Sequence, residues 1–193
     1  IALRAIETYP SVVEYHTMLG QAQLGQGRIQ EATRHFMHSI SLSPAHNSEA
    51  FLGIARIYLA LDEPRKAVHF LRRGLNSGST SPEIHILLGD ALFSMRHPSA
   101  ALSAYEQALC GAQQPLVTWK ALYSALEIPD LGRARVLAER ILNLDPRNAR
   151  ARDLLESIRI EEQEESRRIP EASPVTHLSS GFGTAKPSFA NCR

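Results

Sequence analysis

Four alanines recur along the chain at nearly constant spacing: Ala32, Ala67, Ala101 and Ala134, separated by 35, 34 and 33 residues. Each opens a short phrase of like character, Ala32-Thr33-Arg34-His35-Phe36, Ala67-Val68-His69-Phe70-Leu71, Ala101-Leu102-Ser103-Ala104-Tyr105 and Ala134-Arg135-Val136-Leu137-Ala138. Seven residues on stand Ser39-Ile40, Gly74-Leu75, Ala108-Leu109 and Ile141-Leu142. Twelve residues before the anchors stand Leu19-Gly20, Ile54-Ala55 and Leu88-Gly89, with the order reversed at Ala121-Leu122. A recurrence of this length means one supersecondary unit repeated, each unable to bury its apolar face without a neighbour. Small residues at fixed register mark where two antiparallel helices cross closely. A bulky side chain there would overpack the crossing at a cost of roughly 1–3 kcal/mol.

Composition supports helices. Apolar residues make up 44% and aromatic residues only 6%, so the core has to be built from Leu, Ile and Ala, of which Leu and Ala are strong helix formers. Breakers fall between the paired segments: Gly25-Gln26-Gly27, Asp62-Glu63-Pro64, His97-Pro98-Ser99 and Ile128-Pro129-Asp130, where Gly and Pro punctuate. Ser81-Pro82-Glu83 has proline at a helix start. Asn76–Ser81 is a longer connector, expected to loosen the stack. The expected fold is all-α, an α-solenoid of stacked antiparallel hairpins. Residues 1–10 read as the end of a preceding repeat, so the chain reads as the C-terminal part of a longer array. Residues 11–148 hold four hairpins, near 13–46, 48–81, 82–114 and 115–148. Residues 149–168 read as a polar capping helix with Leu154, Leu155 and Ile158 on one face, and 169–193, rich in Pro, Ser and Thr, as a disordered tail.

Period, small anchors and helix-ending prolines together resemble the tetratricopeptide repeat family over roughly residues 1–159. The chain departs from that family where a bulky aromatic is usual: His16, Phe51, His85 and Thr118 hold the position. Gly27–Ala32, His35-Phe36 and Tyr58-Leu59-Ala60 are similar to the seventh subunit of the anaphase-promoting complex. The resemblance implies that the first helices line a concave face, with their second, fifth, sixth and ninth positions pointing into it. These are Glu14, Thr17, Met18 and Gln21; Glu49, Leu52, Gly53 and Arg56; Glu83, Ile86, Leu87 and Asp90; and Leu116, Trp119, Lys120 and Tyr123. Chaperone-binding members clamp a carboxylate with Lys at the fifth and Asn at the ninth position. Thr17/Gln21, Leu52/Arg56 and Ile86/Asp90 do not provide that clamp. The implied partner-binding residues are Glu14, Gln21, Glu49, Arg56, Glu83, Asp90, Trp119, Lys120 and Tyr123, with the last three an aromatic–cationic hot spot unless Trp119 packs against the capping helix.

Catalytic and cofactor readings find little footing. His35 and His38, three apart on a helix, lack further ligands at metal spacing and read as surface histidines, while His16 and His85 read as structural rings. Gly181–Lys186 lacks the spacing of a phosphate loop. Cys110 reads as a small core residue, and two cysteines do not make a disulfide framework, which suggests a reducing compartment. No apolar run is long enough to span a bilayer. A formal net charge of +1 gives no pull towards nucleic acid or membrane.

The expected function is therefore non-catalytic and without cofactors: a protein–protein interaction scaffold in the cytoplasm or nucleus, a subunit of a multi-protein assembly that binds a partner peptide or helix in its groove. The alternative is the non-catalytic arm of a larger enzyme. RNA binding, known in helical repeats of similar period, needs a basic groove, and the glutamates of the first helices oppose it.

Overall fold

The computed structural model describes residues 12–45, 47–110, 114–128 and 130–168. The readings made for 1–10 and 169–193 fall outside them. Among the described residues there are nine helices: α1 Val13–Gly25, α2 Ile29–Leu42, α3 Ser48–Ala60, α4 Pro64–Asn76, α5 Pro82–Ser94, α6 Pro98–Ala108, α7 Pro115–Leu126, α8 Leu131–Leu144 and α9 Ala149–Arg168. Four of them begin on proline, whose missing N–H costs nothing in a first turn. They belong to two compact units, one ending at Ala108 and one beginning at Leu109. In the first unit, α1/α2, α3/α4 and α5/α6 pair as hairpins, the second helix of each packs on the first helix of the next, and α1, α3 and α5 lie side by side. In the second unit α7 pairs with α8, and α9 packs on α8. The all-α, sequentially paired architecture is present.

The alanine register is the core of both units. Ala32, Ala67, Ala101 and Ala134 are each 0% exposed. Within and between hairpins of the first unit, small residues on the first helices make room for aromatic rings from the second helices. The fully buried Phe36 of α2 lies between Gly20 of α1 and Gly53 of α3, and the Tyr105 ring of α6 lies against Gly89 of α5. Phe36 belongs to a cluster with Ile40, Phe51, Ile54, Ile57 and Phe70. Truncating such a ring to alanine costs about 3–5 kcal/mol. In the second unit α9 buries Ala151, Leu155 and Ile158, while most of its later turns are exposed. Glu162 of α9 also pairs with Arg135 of α8 at 3.3 Å.

The turns are closed by one device. The second residue after each first helix of the first unit takes a positive φ: Gly27 at 74°, Asp62 at 56° and Arg96 at 61°. The following N–H reaches back five residues, from Arg28 to Gln23 O at 2.9 Å, from Glu63 to Tyr58 O at 2.8 Å and from His97 to Leu92 O at 3.0 Å. This is the Schellman closure, which satisfies carbonyls left over at a helix end. α4 ends the same way on Gly78, at φ 85°. α8 and α9 start on side-chain caps, Asp130 accepting from Arg133 N–H and Asn148 from Ala151 N–H.

Three expectations are corrected. Thr17, Leu52 and Gly53 are buried rather than open to a groove. Thr17 Oγ1 lies 2.7 Å from Ser39 Oγ, which accepts from Asn47 Nδ2 at 2.9 Å and donates to the Val13 carbonyl at 3.1 Å. That network ties α1, α2 and the start of α3 together. The 76–81 connector is not loose: Ser79 is buried and hydrogen-bonded to Ser48 at the start of α3. Cys110 is half-buried in the turn after α6 and is disulfide-bonded, so the cysteine argument for a reducing compartment falls. Cys192 lies outside the described residues. Among the described residues, no helix is long and apolar enough to cross a membrane.

Candidate functional site

The first helices of the first unit present Glu14, Met18 and Gln21 from α1, Glu49 and Arg56 from α3, and Glu83 and Asp90 from α5. Spacings of three, four and seven residues put each set on one helix face. Glu14, Met18, Gln21, Glu49 and Arg56 are exposed, and Glu83 and Asp90 half-buried. Side-by-side packing of α1, α3 and α5 then joins the ninth position of one hairpin to the second position of the next. Gln21 Nε2 donates to Glu49 Oε2 at 2.8 Å, and the Arg56 guanidinium pairs with the Glu83 carboxylate. These pairs span 28 and 27 residues of sequence. That near-constant offset was the signal by which sequence alone could have found them.

Asp90, at the ninth position of the third hairpin, is engaged within its own hairpin. Its Oδ1 accepts from the Tyr105 hydroxyl at 2.7 Å. Burial first, then this bond and the Asp90 charge, raise the Tyr105 pKa well above the ordinary tyrosine range. The half-exposed Arg56–Glu83 pair contributes at most about 1 kcal/mol. Its geometric effect is to hold the two side chains together across α3 and α5. Met18, 57% exposed, is the large apolar side chain open on this face of α1.

The second unit carries Trp119, Lys120 and Tyr123 on α7, all half-buried. The Trp119 and Tyr123 rings stack with centroids 5.8 Å apart and planes at 26°. Arg150, from the first turn of α9, lies over both. Trp119 thus has a partner on α9, which sequence reasoning weighed, but Arg150 itself was not foreseen. No spacing rule links residues so far apart on two helices that do not follow one another.

The histidines also rearrange. His16 is buried, and its Nδ1 lies 3.1 Å from Nδ1 of His35, so one of the two rings donates to the other. The His38 ring meets the His16 ring edge-on with centroids 4.3 Å apart. His35 is therefore half-buried in a three-ring cluster rather than a plain surface histidine. Its pKa is lowered by burial and by the His16 and His38 charges, against the opposing effect of Glu31. Burial alone lowers that of His85. Among the described residues, no group of three or more His, Cys, Asp or Glu is arranged to hold a metal ion. A cleft at the turns of the second and third hairpins, lined by Asp62, Lys66, Met95 and His97 among others, includes none of the predicted residues.

Residues 23–91 match the family model described as tetratricopeptide repeat. No curated protein matches the sequence. Among solved structures, YrrB, described as a TPR protein with an unusual peptide-binding site, superposes with a TM-score of 0.74 at 15% identity, covering 84% of each chain. Pseudomonas aeruginosa PilF gives 0.64 at 17% identity, over 83% of this chain and 71% of that one. The APC/C hetero-tetramer Cut9–Hcn1 gives 0.63 at 18% identity, over 81% of this chain and 32% of the other, so the chain spans about a third of that partner's length. At these identities the likeness is one of fold.

Proposed function

We propose that the chain, whose residues 23–91 match the tetratricopeptide repeat model, is a protein–protein interaction scaffold, holding an extended or helical segment of a partner on the face of its first helices. The observation that carries this is the ladder on α1, α3 and α5. Gln21–Glu49 and Arg56–Glu83 hold their side chains together from helix to helix, and Met18 is exposed on the Gln21 face of α1. Rigid, pre-oriented groups lower the ordering cost that binding otherwise bears. The peptide-binding description of YrrB supports the same reading.

The partner-binding set on the first unit is Glu14, Gln21, Glu49, Arg56, Glu83 and Asp90. A second set on the other unit is Trp119, Lys120 and Tyr123. A chaperone-type carboxylate clamp is not part of this reading, because two of the fifth positions it needs, Thr17 and Leu52, are buried. Membership in a multi-subunit assembly is part of the proposal. It rests on the phrases shared with the seventh subunit of the anaphase-promoting complex, since the Cut9 likeness is one of fold. A cytoplasmic or nuclear location is not carried into it, because the disulfide at Cys110 removes the observation on which it leaned.

The test is affinity capture with mass spectrometry, using the wild-type chain beside Met18→Glu/Arg56→Glu and Trp119→Ala/Tyr123→Ala. Reproducible partners that are lost with either double variant, at unchanged helicity, are the expected result. The same proteins recovered with wild type and both variants would show that neither face binds them.

A further inference from the structure

Arg150 and the α7 aromatic pair form a composite that a merely stabilising contact does not require. The guanidinium carbon lies 5.7 Å from the Trp119 ring centroid and 5.4 Å from that of Tyr123. A guanidinium resting on rings uses its flat face, whereas its five N–H donors point outward in its own plane. Those donors remain available here. Arg150 is exposed, and among the described residues its side chain has no hydrogen bond or ion pair. Stacking also removes rotamer freedom before a ligand arrives, so less is lost on binding.

The surroundings define what would fit. Leu116, three residues before Trp119 on the same face of α7, is 69% exposed, the most open large apolar side chain described. Guanidinium donors beside open apolar and aromatic surface suit a carboxylate flanked by an apolar group. Single-stranded nucleic acid could also offer anions and stacking bases. However, Asp153 and Glu156 are exposed on α9 within two turns of Arg150, and they oppose a closely spaced row of phosphates. Isolated carboxylates can stay clear of them.

We propose that Arg150, with Leu116, Trp119 and Tyr123, forms a receptor for a linear protein segment in which an acidic side chain stands next to an apolar one. The proposal rests on the scaffold reading above and names the ligand chemistry of its second set of residues. Arg150 supplies the carboxylate fork, the two rings hold the fork in place, and Leu116 takes the neighbouring apolar group.

Trp119 is the single tryptophan of the chain, so intrinsic fluorescence reports on this site directly. The full chain is titrated with a Trp-free and Tyr-free synthetic peptide in which Glu and Leu are interspersed with Gly and Ser. Its Glu→Gln and Glu→Lys counterparts and a single-stranded oligothymidine serve as comparisons. The Glu peptide is expected to give a saturable shift of Trp119 emission. The Gln peptide should bind about tenfold more weakly, the Lys peptide not at all, and Arg150→Ala should lose about tenfold for the Glu peptide, as for loss of a charge-assisted hydrogen-bonded pair. Arg150→Lys should recover only part, since an ammonium is a point charge without the fork. Circular dichroism of each variant separates loss of binding from loss of fold. Equal binding of Glu and Gln peptides, indifference to Arg150→Ala, or a preference for the oligonucleotide would overturn the proposal. So would a silent Trp119 alongside partner capture that depends on Met18 and Arg56, and in that case the scaffold reading survives. If the wild-type chain captures no protein at all, the scaffold reading falls as well.

Discussion

A methyl group on Gly53 would sit 2.4 Å from Cζ of Phe36. The ring comes from α2 and the glycine from α3, so the contact sets how closely the second hairpin can follow the first. Gly20 faces the same ring from α1, where an added methyl would lie 2.8 Å from Cε1. Gly53→Ala is expected to destabilise by roughly 1–3 kcal/mol through overpacking. Adding Phe36→Leu should cost less in that background than in the wild type, a coupling that urea denaturation of the four-member cycle would measure. Gly132 is the contrast, with Asp130 Oδ1 at 3.8 Å as its nearest neighbour. Gly132→Ala should raise stability by a few tenths to about 1 kcal/mol.

Arg96 holds a position that suits glycine. Its φ of 61° matches the turn role filled by Gly27 in the first hairpin. A side chain in the left-handed region costs about 1–2 kcal/mol, offset in part because glycine gives the unfolded chain more freedom. Arg96→Gly is therefore expected to raise the urea midpoint by the equivalent of up to about 1 kcal/mol. A lower midpoint would mean that the arginine side chain has a role elsewhere.

Ser39 holds a buried network rather than merely filling a small space. Ser39→Ala keeps the packing but removes the oxygen met by Thr17 and Asn47. Unsatisfied buried donors cost about 1–3 kcal/mol, so the melting temperature should fall markedly. Thr17→Val combined with Ser39→Ala should fall by less than the sum of the two single changes.

Acidification should weaken the first unit. His35 and His85 have folded-state pKa values below the ordinary 6.5. As pH falls through 6.5 the unfolded chain takes up protons that the folded chain resists, so stability held at neutral pH is lost as pH drops further towards the lowered values. The melting temperature is expected to decline from pH 7.5 to 5.5, and less steeply in His35→Gln. An equal slope in that variant would place the effect elsewhere.

How far sequence could reach differs from residue to residue. The anchors were legible because a close helix crossing tolerates only small side chains, and Ala32, Ala67, Ala101 and Ala134 are all fully buried. Gly53, Leu52 and Thr17 were misread because a positional scheme fixes where Cα faces, not what a neighbouring helix inserts. The Phe36 ring covers Gly53, and Thr17 turns its hydroxyl to Ser39. Arg150 was invisible for a related reason: its partners belong to α7, and only folding brings them together. In the candidate face, register singles out Gln21, Glu49, Arg56 and Glu83, but not that they pair with one another.

That pairing bears on how such an array can lengthen. Glutamate stands at the second position of the first three hairpins, as Glu14, Glu49 and Glu83, while the ninth position changes from Gln21 to Arg56 to Asp90. A duplicated copy of the second hairpin would set Arg56 against a fresh Glu49, and a duplicated first hairpin would set Gln21 against Glu14; both junctions match. A duplicated third hairpin would bring Asp90 against Glu83, two like charges. Growth by tandem duplication is thus open through the first two hairpins and opposed after the third, where Tyr105 already claims the aspartate.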